Sequence, residues 1–494
     1  MEVENFWDTV KFPSSADGRI IYKNYINGKW VESSAKRTFD VLNPSDGTIV
    51  GRVQKSTPED ADAAIEAAFI AKELWTNTPT VERSKILRKV SELIREHKDH
   101  IIEMLVEESG KPLLTATDEV LAAAERIEYA SEECKYIFGD EMDGHMSPHK
   151  IGKIGLLFKR PLGVILAVSS FNYPLHIGTC KIAPALAAGN TVICKPASDD
   201  PISLILLARI FEAAGLPKGV FNVITGGGKD IGDHLAESEK IDMISFTGST
   251  EIGKHVAKIS GMKKLHMELG GKAACIVLAD ADLELAAKEI VKGSFTYAGQ
   301  RCDAISRVLV EESVADKLIE LAAKELDTWK MGNPKDPNVK VGPVINKWAF
   351  EIIADLIDDA LKKGAKMVRG GKREGLFIEP VMLDNVNLDM RIMWEETFGP
   401  AVPFYRVKNY AEALEIANRS EFGLDNCIFT QDIDKALDAG LKMESGTVSI
   451  NTSPSHGLGF FPFGGDKDSG IGREGIRESI KEMTKSHVVI LKLK

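Results

Sequence analysis

The sequence has no CxxC pair. Its six cysteines (Cys134, Cys180, Cys194, Cys275, Cys302 and Cys427) are scattered, which argues against a disulfide framework and against a zinc site, so no metal is expected. Blocks of lysine and arginine are missing too. With 73 acidic against 62 basic residues and a formal net charge of -11, nucleic acid and anionic membrane are poor partners. No apolar run approaches the length of a membrane span, and the first residues, Met1 to Trp7, carry acids where a secretory signal is basic. A reducing, cytoplasmic location is expected. The turn from Gly248 to Gly253 does not carry the GxGxxG fingerprint, since those two glycines stand five apart, so generic dinucleotide-motif arguments do not apply to it.

What is present is ample apolar material. Hydrophobic residues make up 44% and charged residues 27% of 494 positions, enough for two or three globular domains. Residues 20–55 alternate short apolar stretches with Gly28, Pro44 and Gly47, the pattern of hairpin strands at a domain edge. Thr57-Pro58-Glu59-Asp60 reads as a helix start, with a capping threonine, proline at the first helical position and acids at the positive end of the dipole. Helices follow to about residue 139, with Gly110 as a stop. Near 143–162, Gly144, Pro148, Gly152 and Gly155 leave a short ribbon that is either a surface hairpin or a subunit contact.

From Pro161 short strands alternate with helices: Gly163–Val168, Thr191–Lys195, Val220–Thr225, Met243–Phe246 and Leu265–Leu269, with helical stretches ending at Gly189 and Gly215. This is the βαβ rhythm of a parallel, doubly wound sheet, whose ligands lie beyond the carboxyl ends of the strands. The first end, Ser170-Phe171-Asn172-Tyr173-Pro174, offers an amide donor or simply a turn. The second, Lys195-Pro196-Ala197-Ser198, carries a cation and a hydroxyl for a nucleotide ribose or for solvent. After the third, Gly226-Gly227-Gly228 is a phosphate loop or a plain one. The fourth, from Phe246-Thr247-Gly248-Ser249 to Gly253, turns into a helix whose N–H groups suit a phosphate. The fifth holds Glu268, an acid in an apolar strand, which is costly unless paired, protonated or used. The plain alternative is a side chain turned to solvent.

Past Ala273 a second series begins, with a strand at 274–278, a helix from Asp282 and a strand at 305–310. Ser313-Val314-Ala315-Asp316 resembles a capped helix start. This second α/β unit sits beside the first, with a cleft between them. The helix from Asp282 delivers Gly299-Gln300-Arg301-Cys302. Gly299 lets the backbone turn, and Arg301 sets a permanent positive charge beside the cysteine, which favours the thiolate. Cys302 is then a nucleophile, or else a packing cysteine. Trp394 to Pro400 forms a loop of acids and aromatics, and Val488-Val489-Ile490-Leu491 is a strand that needs an edge, either the ribbon near 150 or a neighbouring subunit.

Asn172, Lys195, the Phe246 to Gly253 turn, Glu268-Leu269-Gly270-Gly271 and Gly299-Gln300-Arg301-Cys302, in this order and at this spacing, closely resemble the aldehyde dehydrogenase superfamily from about residue 25 to 490. The resemblance implies an α/β chain with a Rossmann-like cofactor domain (1–142 and 163–269) built on a five-stranded parallel sheet. It also implies an α/β catalytic domain (270–475) and a small β oligomerisation element (143–162 and 476–494), assembling a homo-oligomer, dimer or tetramer. The implied activity is NAD(P)-dependent, irreversible oxidation of an aldehyde to a carboxylate. Cys302 resembles the nucleophile, Glu268 the general base, and Asn172 an oxyanion donor beside the Cys302 N–H, with Lys181 in the same network. Lys195 and Glu396 correspond to ribose-binding positions, Phe398 to the nicotinamide side and Ser249 to the pyrophosphate. Ser170, Phe171, Ser198, Gly228, Phe246, Thr247, Gly248 and Leu269 complete the cofactor site.

Within the superfamily, these motifs look most like those of the non-phosphorylating glyceraldehyde-3-phosphate dehydrogenases, which implies conversion of glyceraldehyde 3-phosphate to 3-phosphoglycerate. Asn172, Tyr173, Arg301 and His456 then contact substrate. The planar fork of Arg301 suits a phosphate, unless it only adjusts Cys302. Arg126 is a further candidate, and Ser455 stands where a cation is expected. An unphosphorylated aldehyde (glyceraldehyde, lactaldehyde or succinate semialdehyde) is the alternative, and a non-catalytic protein reusing the fold a remote one. Ser198 takes the place where NAD-specific relatives tend to carry an acid, which implies that NADP is preferred with some NAD use. Asp199 and Asp200 work against that preference.

Overall fold

A computed structural model describes residues 6–12, 18–150, 152–455 and 459–493. Its centre is an eight-stranded sheet in the order Gly470–Ile471, Lys264–Glu268, Met243–Thr247, Val164–Val168, Thr191–Lys195, Phe221–Val223, Asn24–Ile26 and Lys29–Val31. The five central strands are parallel, as expected, and the outer ones run antiparallel. Val164, Ile165, Val192, Ile193 and Ile244 are completely buried, because helices cover both faces and each such side chain contributes about 1.5–3 kcal/mol when removed from water.

Register decides what the sheet presents at its rim. Lys195 pairs with Val168, Phe246 pairs with Val168 from the other side, and Thr247 pairs with Glu268. Four strands therefore end at one level, and the order reverses at Val164–Val168, the switch point where doubly wound sheets bind ligands.

The second unit is a seven-stranded sheet containing Ala273–Val277, Ile305–Glu311, Ala401–Val407 and Asp425–Phe429, with an antiparallel edge at Lys366–Arg369. Thr57 caps the helix Pro58–Asn77 in a reciprocal box with Asp60, and Asp282 caps Leu283–Phe295. Ser313 does not cap. The helix Glu312–Leu326 begins directly after the strand, and its cap position is Glu311, which instead accepts from the Ala279 N–H at 2.9 Å.

Thr484–Lys492 pairs with Lys153–Pro161 in antiparallel register, and Asp140–Asp143 adds the third strand. The division by sequence differs from this arrangement in two places. The helix Ile476–Glu482 is not part of the ribbon, since Ile476 and Ile480 are buried in the core of the first unit. Gly470–Ile471 joins the edge of the first sheet, against Met267 and Glu268. No helix among the described residues is long and apolar enough to cross a membrane.

Candidate active site

The turn after Val164–Val168 is built around Asn172, which is 3% exposed. Ser170 Oγ donates to Asn172 Oδ1 at 2.8 Å, so the carbonyl end of the amide is engaged and its donor end is left for another oxygen. The helix Pro174–Ala188 starts without a side-chain cap of its own. Its orphan N–H groups at Leu175 and His176 are taken by Glu119 Oε1 at 3.0 and 3.1 Å. The other oxygen of Glu119 pairs with Lys111. Lys111 Nζ also donates to the Asn172 carbonyl at 2.7 Å and lies 3.8 Å from the centre of the Tyr173 ring. A fully buried ion pair thus clamps the turn that carries the amide.

Cys302 arrives on a strained loop. After Leu283–Phe295 the backbone is left-handed at Tyr297, Ala298 and Gly299, with φ of 53°, 52° and 69°, and such conformations persist only where the surroundings hold them. Tyr297 Oη donates to the Ser109 carbonyl at 3.2 Å. Gln300 is completely buried, accepting from Ile345 N at 2.8 Å and donating to the carbonyls of Tyr297 and Pro343. A Cβ on Gly299 would stand 2.4 Å from the Gly399 carbonyl, so only glycine fits that crossing.

Cys302 and Cys180 are partly exposed, whereas Cys134, Cys194, Cys275 and Cys427 are buried. The Cys302 thiol is nevertheless not activated in the way the sequence suggests. Burial raises it well above the ordinary cysteine range, and Asp303, Asp425, Glu268 and Glu396 raise it further. The attraction between Arg301 and Cys302 does not reverse this rise; Arg301 Nε is bound to Asp303 Oδ1 at 2.9 Å and its Nη2 to the Pro454 carbonyl at 3.2 Å. Burial works against the guanidinium charge, but Asp303 and Tyr173 outweigh it and keep Arg301 protonated.

Glu268 is buried, with neither carboxylate oxygen hydrogen-bonded among the described residues. Burial, then Glu474, raises it well above the usual carboxylate range, and Lys181 pulls the other way. Lys181 is expected beside the oxyanion donor. Instead its Nζ pairs with Glu474 Oε1 at 2.7 Å, so its charge acts on the base rather than on Asn172.

The strand ends open a cavity of about 350 Å³ lined in part by Val168, Lys195, Gly228, Lys229, Phe246 and His255. Among the described residues Lys195 Nζ donates to the Pro196 carbonyl, at 3.2 Å, and burial lowers its pKa to about 8. Ser249 caps the helix Thr250–Ile259 through Ile252 N, leaving first-turn N–H groups for an anion. A dinucleotide fits these groups: a buried cation and an apolar cavity on one side, a helix N-terminus on the other. Ser198 Oγ donates to the Gly226 carbonyl at 3.4 Å. Asp199 accepts from Asn346 at 2.9 Å, and Asp200 is fully buried facing Glu108 and Lys111, so neither acid opposes Lys195 as its place in the sequence suggests. Asp230, which caps Gly227 and acts on Lys195, is the acid the sequence reading missed.

Nearer Cys302, the ring of Phe398 meets that of Phe171 edge-on at 5.5 Å, and Phe398 has φ of 43°. Glu396 Oε1 accepts from Gly271 N at 2.9 Å and burial raises the acid to about 7, so one of its oxygens already serves the backbone. Thr247 pairs with Glu268 on the adjacent strand, Gly248 N donates to the Glu268 carbonyl at 3.1 Å, and Leu269 N donates to Ser469.

Arg126 lies in a small cavity with His176, Cys180 and Glu474. His456 lies outside the described residues. Lys111, Glu119, Gln300, Asp303, Asp425 and Glu474 are the site residues that sequence reading left without a role. Several of their partners are distant in the chain, such as Asn172 for Lys111 and Ile345 for Gln300. The local pairs are Lys111 with Glu119, eight apart, and Asp303 with Arg301, two apart beside the cysteine. A larger open cleft of about 640 Å³, lined in part by Asn43, Asp46, Lys335 and Phe377, contains none of this chemistry.

A model of the aldehyde dehydrogenase family matches residues 30–489. The chain is 43% identical over 464 residues to the NADP-dependent glyceraldehyde-3-phosphate dehydrogenase of Streptococcus equinus, covering 94% of this chain and 97% of that protein. It is 38% identical to a succinate-semialdehyde dehydrogenase [NADP(+)] of Escherichia coli, covering 92% and 95%. The crystal structure of the NADP-dependent glyceraldehyde-3-phosphate dehydrogenase of Bacillus halodurans, complexed with NADP, superposes with a TM-score of 0.94 at 40% identity, covering 96% of this chain and 99% of that one.

Proposed function

Because the chain belongs to the aldehyde dehydrogenase family, matched across residues 30–489, we propose that it oxidises glyceraldehyde 3-phosphate to 3-phosphoglycerate with NADP, through a covalent intermediate on Cys302. The observation that carries this reading is a partly exposed cysteine, Cys302, on which the charge of buried Glu268 acts and which in turn acts on Tyr173. Glu268 has no hydrogen-bond partner among the described residues, and Tyr173 is next to an Asn172 amide whose oxygen is engaged by Ser170. Its similarity to two NADP-dependent glyceraldehyde-3-phosphate dehydrogenases, one matched by sequence and one by structure, supports the substrate and the cofactor.

An aldehyde is a poor hydride donor until a nucleophile adds to its carbon. Cys302 loses its S–H proton to solvent, the thiolate Sγ bonds to the carbonyl carbon as the C=O electron pair moves to oxygen, and Asn172 with the Cys302 N–H holds the resulting oxyanion. NADP, when bound, supplies the acceptor for the departing hydride. The thioester left on Cys302 is hydrolysed by water, from which Glu268 takes a proton. Lys195, Glu396, Ser249 and Phe398, with Ser170, Phe171, Phe246, Gly248 and Leu269, hold the cofactor. Ser198 has no charge to repel a 2′-phosphate and Lys195 attracts one, so NADP is preferred over NAD. Tyr173 and Arg301 receive the phosphorylated substrate.

Assay of a small aldehyde panel with NADP and NAD tests this directly. Highest efficiency is expected for glyceraldehyde 3-phosphate with NADP. Succinate semialdehyde as the better substrate would refute the substrate assignment, and oxidation by Cys302→Ala would refute the mechanism.

The three-stranded ribbon is the subunit contact in this reading, supported by Phe158, Val488 and Ile490, which are 46%, 52% and 68% exposed. Light scattering is expected to give a homo-oligomer that Ile490→Asp weakens. Cytoplasmic location belongs to the same reading, and the six free thiols fit it. Recovery in the cytoplasmic fraction of the source cells is expected, and recovery outside it would overturn that location.

A further inference from the structure

His266 and Glu268 stand two apart on Lys264–Glu268, so their side chains leave the strand on the same face. His266 Nε2 lies 3.5 Å from Glu268 Oε1. Both atoms are buried, and neither has a hydrogen-bond partner among the described residues. The other ring nitrogen, Nδ1, is 3.2 Å from Ser245 Oγ on the adjacent strand and 3.9 Å from Glu474 Oε1. Two unpartnered polar atoms facing each other in a closed site are costly unless a proton passes between them.

We propose that His266 is the positioning residue that arms Glu268 for thioester hydrolysis, receiving the carboxyl proton at Nε2 and passing the Nδ1 proton toward Glu474. This rests on the reading of Glu268 as the general base. The carboxyl O–H bond breaks, its electron pair stays on Glu268, and the proton takes the Nε2 lone pair. The carboxylate then removes a proton from water. The hydroxide oxygen bonds to the thioester carbon, and Cys302 sulfur leaves as the thiolate.

In the resting protein burial lowers His266 to about 4, so Nε2 carries an unprotonated lone pair but the transfer from Glu268 runs uphill; Glu474 and Glu482, which favour the imidazolium, reduce that cost, and Lys181 and Lys264 oppose them. Glu268, raised by burial, holds its proton until something takes it, with Asp425 adding to that tendency and Arg473 opposing it. Without the ring, that proton stays in place to a higher pH.

The test is stopped-flow measurement of NADPH formation by His266→Val and His266→Gln beside Glu268→Gln. Both His266 variants are expected to keep the first-turnover burst. Their steady-state turnover at neutral pH should fall at least about tenfold, and the acid limb of kcat should move up by about one pH unit. Added imidazole should restore turnover in His266→Ala. Unchanged kcat and pH profile in both variants would overturn the role of His266, as would loss of the burst in both, since the ring would then serve acylation or the fold. If Glu268→Gln itself turns over like the parent enzyme, the base assignment fails instead, whatever the His266 variants do.

Discussion

Gly271 lies directly beneath the backbone carbonyl of Cys302: a Cβ at position 271 would stand 2.2 Å from that oxygen. The end of the first sheet and the loop bearing the nucleophile therefore touch through bare backbone. On the other side Gly271 N is held by Glu396. The position of the sulfur is set by a contact that admits no side chain.

Gly271→Ala should therefore push Cys302 out of line. Overpacking of this kind costs about 1–3 kcal/mol of stability, readable in urea unfolding. Turnover should fall far more than stability, because small misplacements of reacting groups are amplified in rate. Turnover near the parent level in a folded variant would show that the loop tolerates the shift.

The pH response of the thiol should run opposite to that of a typical activated cysteine. Burial and four carboxylates raise Cys302 well above its ordinary range, so the cofactor-free protein carries a thiol at neutral pH. The thiolate fraction, and with it the rate of alkylation by iodoacetamide, should keep rising as pH increases above 8. A plateau below pH 8 would contradict this. The positive charge of oxidised NADP should speed alkylation at fixed pH.

Lys111→Met removes one partner of a pair that is completely buried on both sides. An uncompensated carboxylate is left at Glu119, which costs about 3–5 kcal/mol, to be measured by urea unfolding. Glu119→Gln in the same chain should recover part of that loss, because a neutral amide oxygen still accepts from Leu175 and His176. Turnover should stay low in the double variant, since the Asn172 carbonyl has lost its donor. Full activity there would limit Lys111 to a structural role.

Arg301→Gln should lower efficiency on glyceraldehyde 3-phosphate relative to glyceraldehyde by about 10- to 100-fold, the equivalent of the roughly 1.5–3 kcal/mol typical of a charged hydrogen bond. The ratio is the informative quantity, because loss of the bond to Asp303 affects both substrates alike. An unchanged ratio would confine Arg301 to its neighbours in the loop.

The division of labour between the sequence and the fold can be followed residue by residue. The parallel strands, the cap at Thr57 and the helix starts at Asp282 and after Ser249 were legible because they rest on local periodicity and on residues close to the backbone they start. The cap at Ser313 misled, since a strand running straight into a helix has no need of one. Lys181 was placed with the oxyanion donor, yet its partner is Glu474, 293 positions away. Arg301 does attract the Cys302 charge as read from the sequence, but it is paired with Asp303, and burial with several acids outweighs it.

By itself, then, the sequence determined the architecture and the types of chemical group available: apolar strands, strand-end polar residues, a cysteine after a glycine turn. Only the tertiary structure decided how those groups are charged and which of them meet, because burial and through-space neighbours act over a few ångströms with no regard to separation along the chain. The Glu268 carboxyl and the Cys302 thiol are raised by desolvation and, beyond the adjacent Asp303, by acids as far apart in the chain as Glu396, Asp425 and Glu474, an effect that no local pattern encodes.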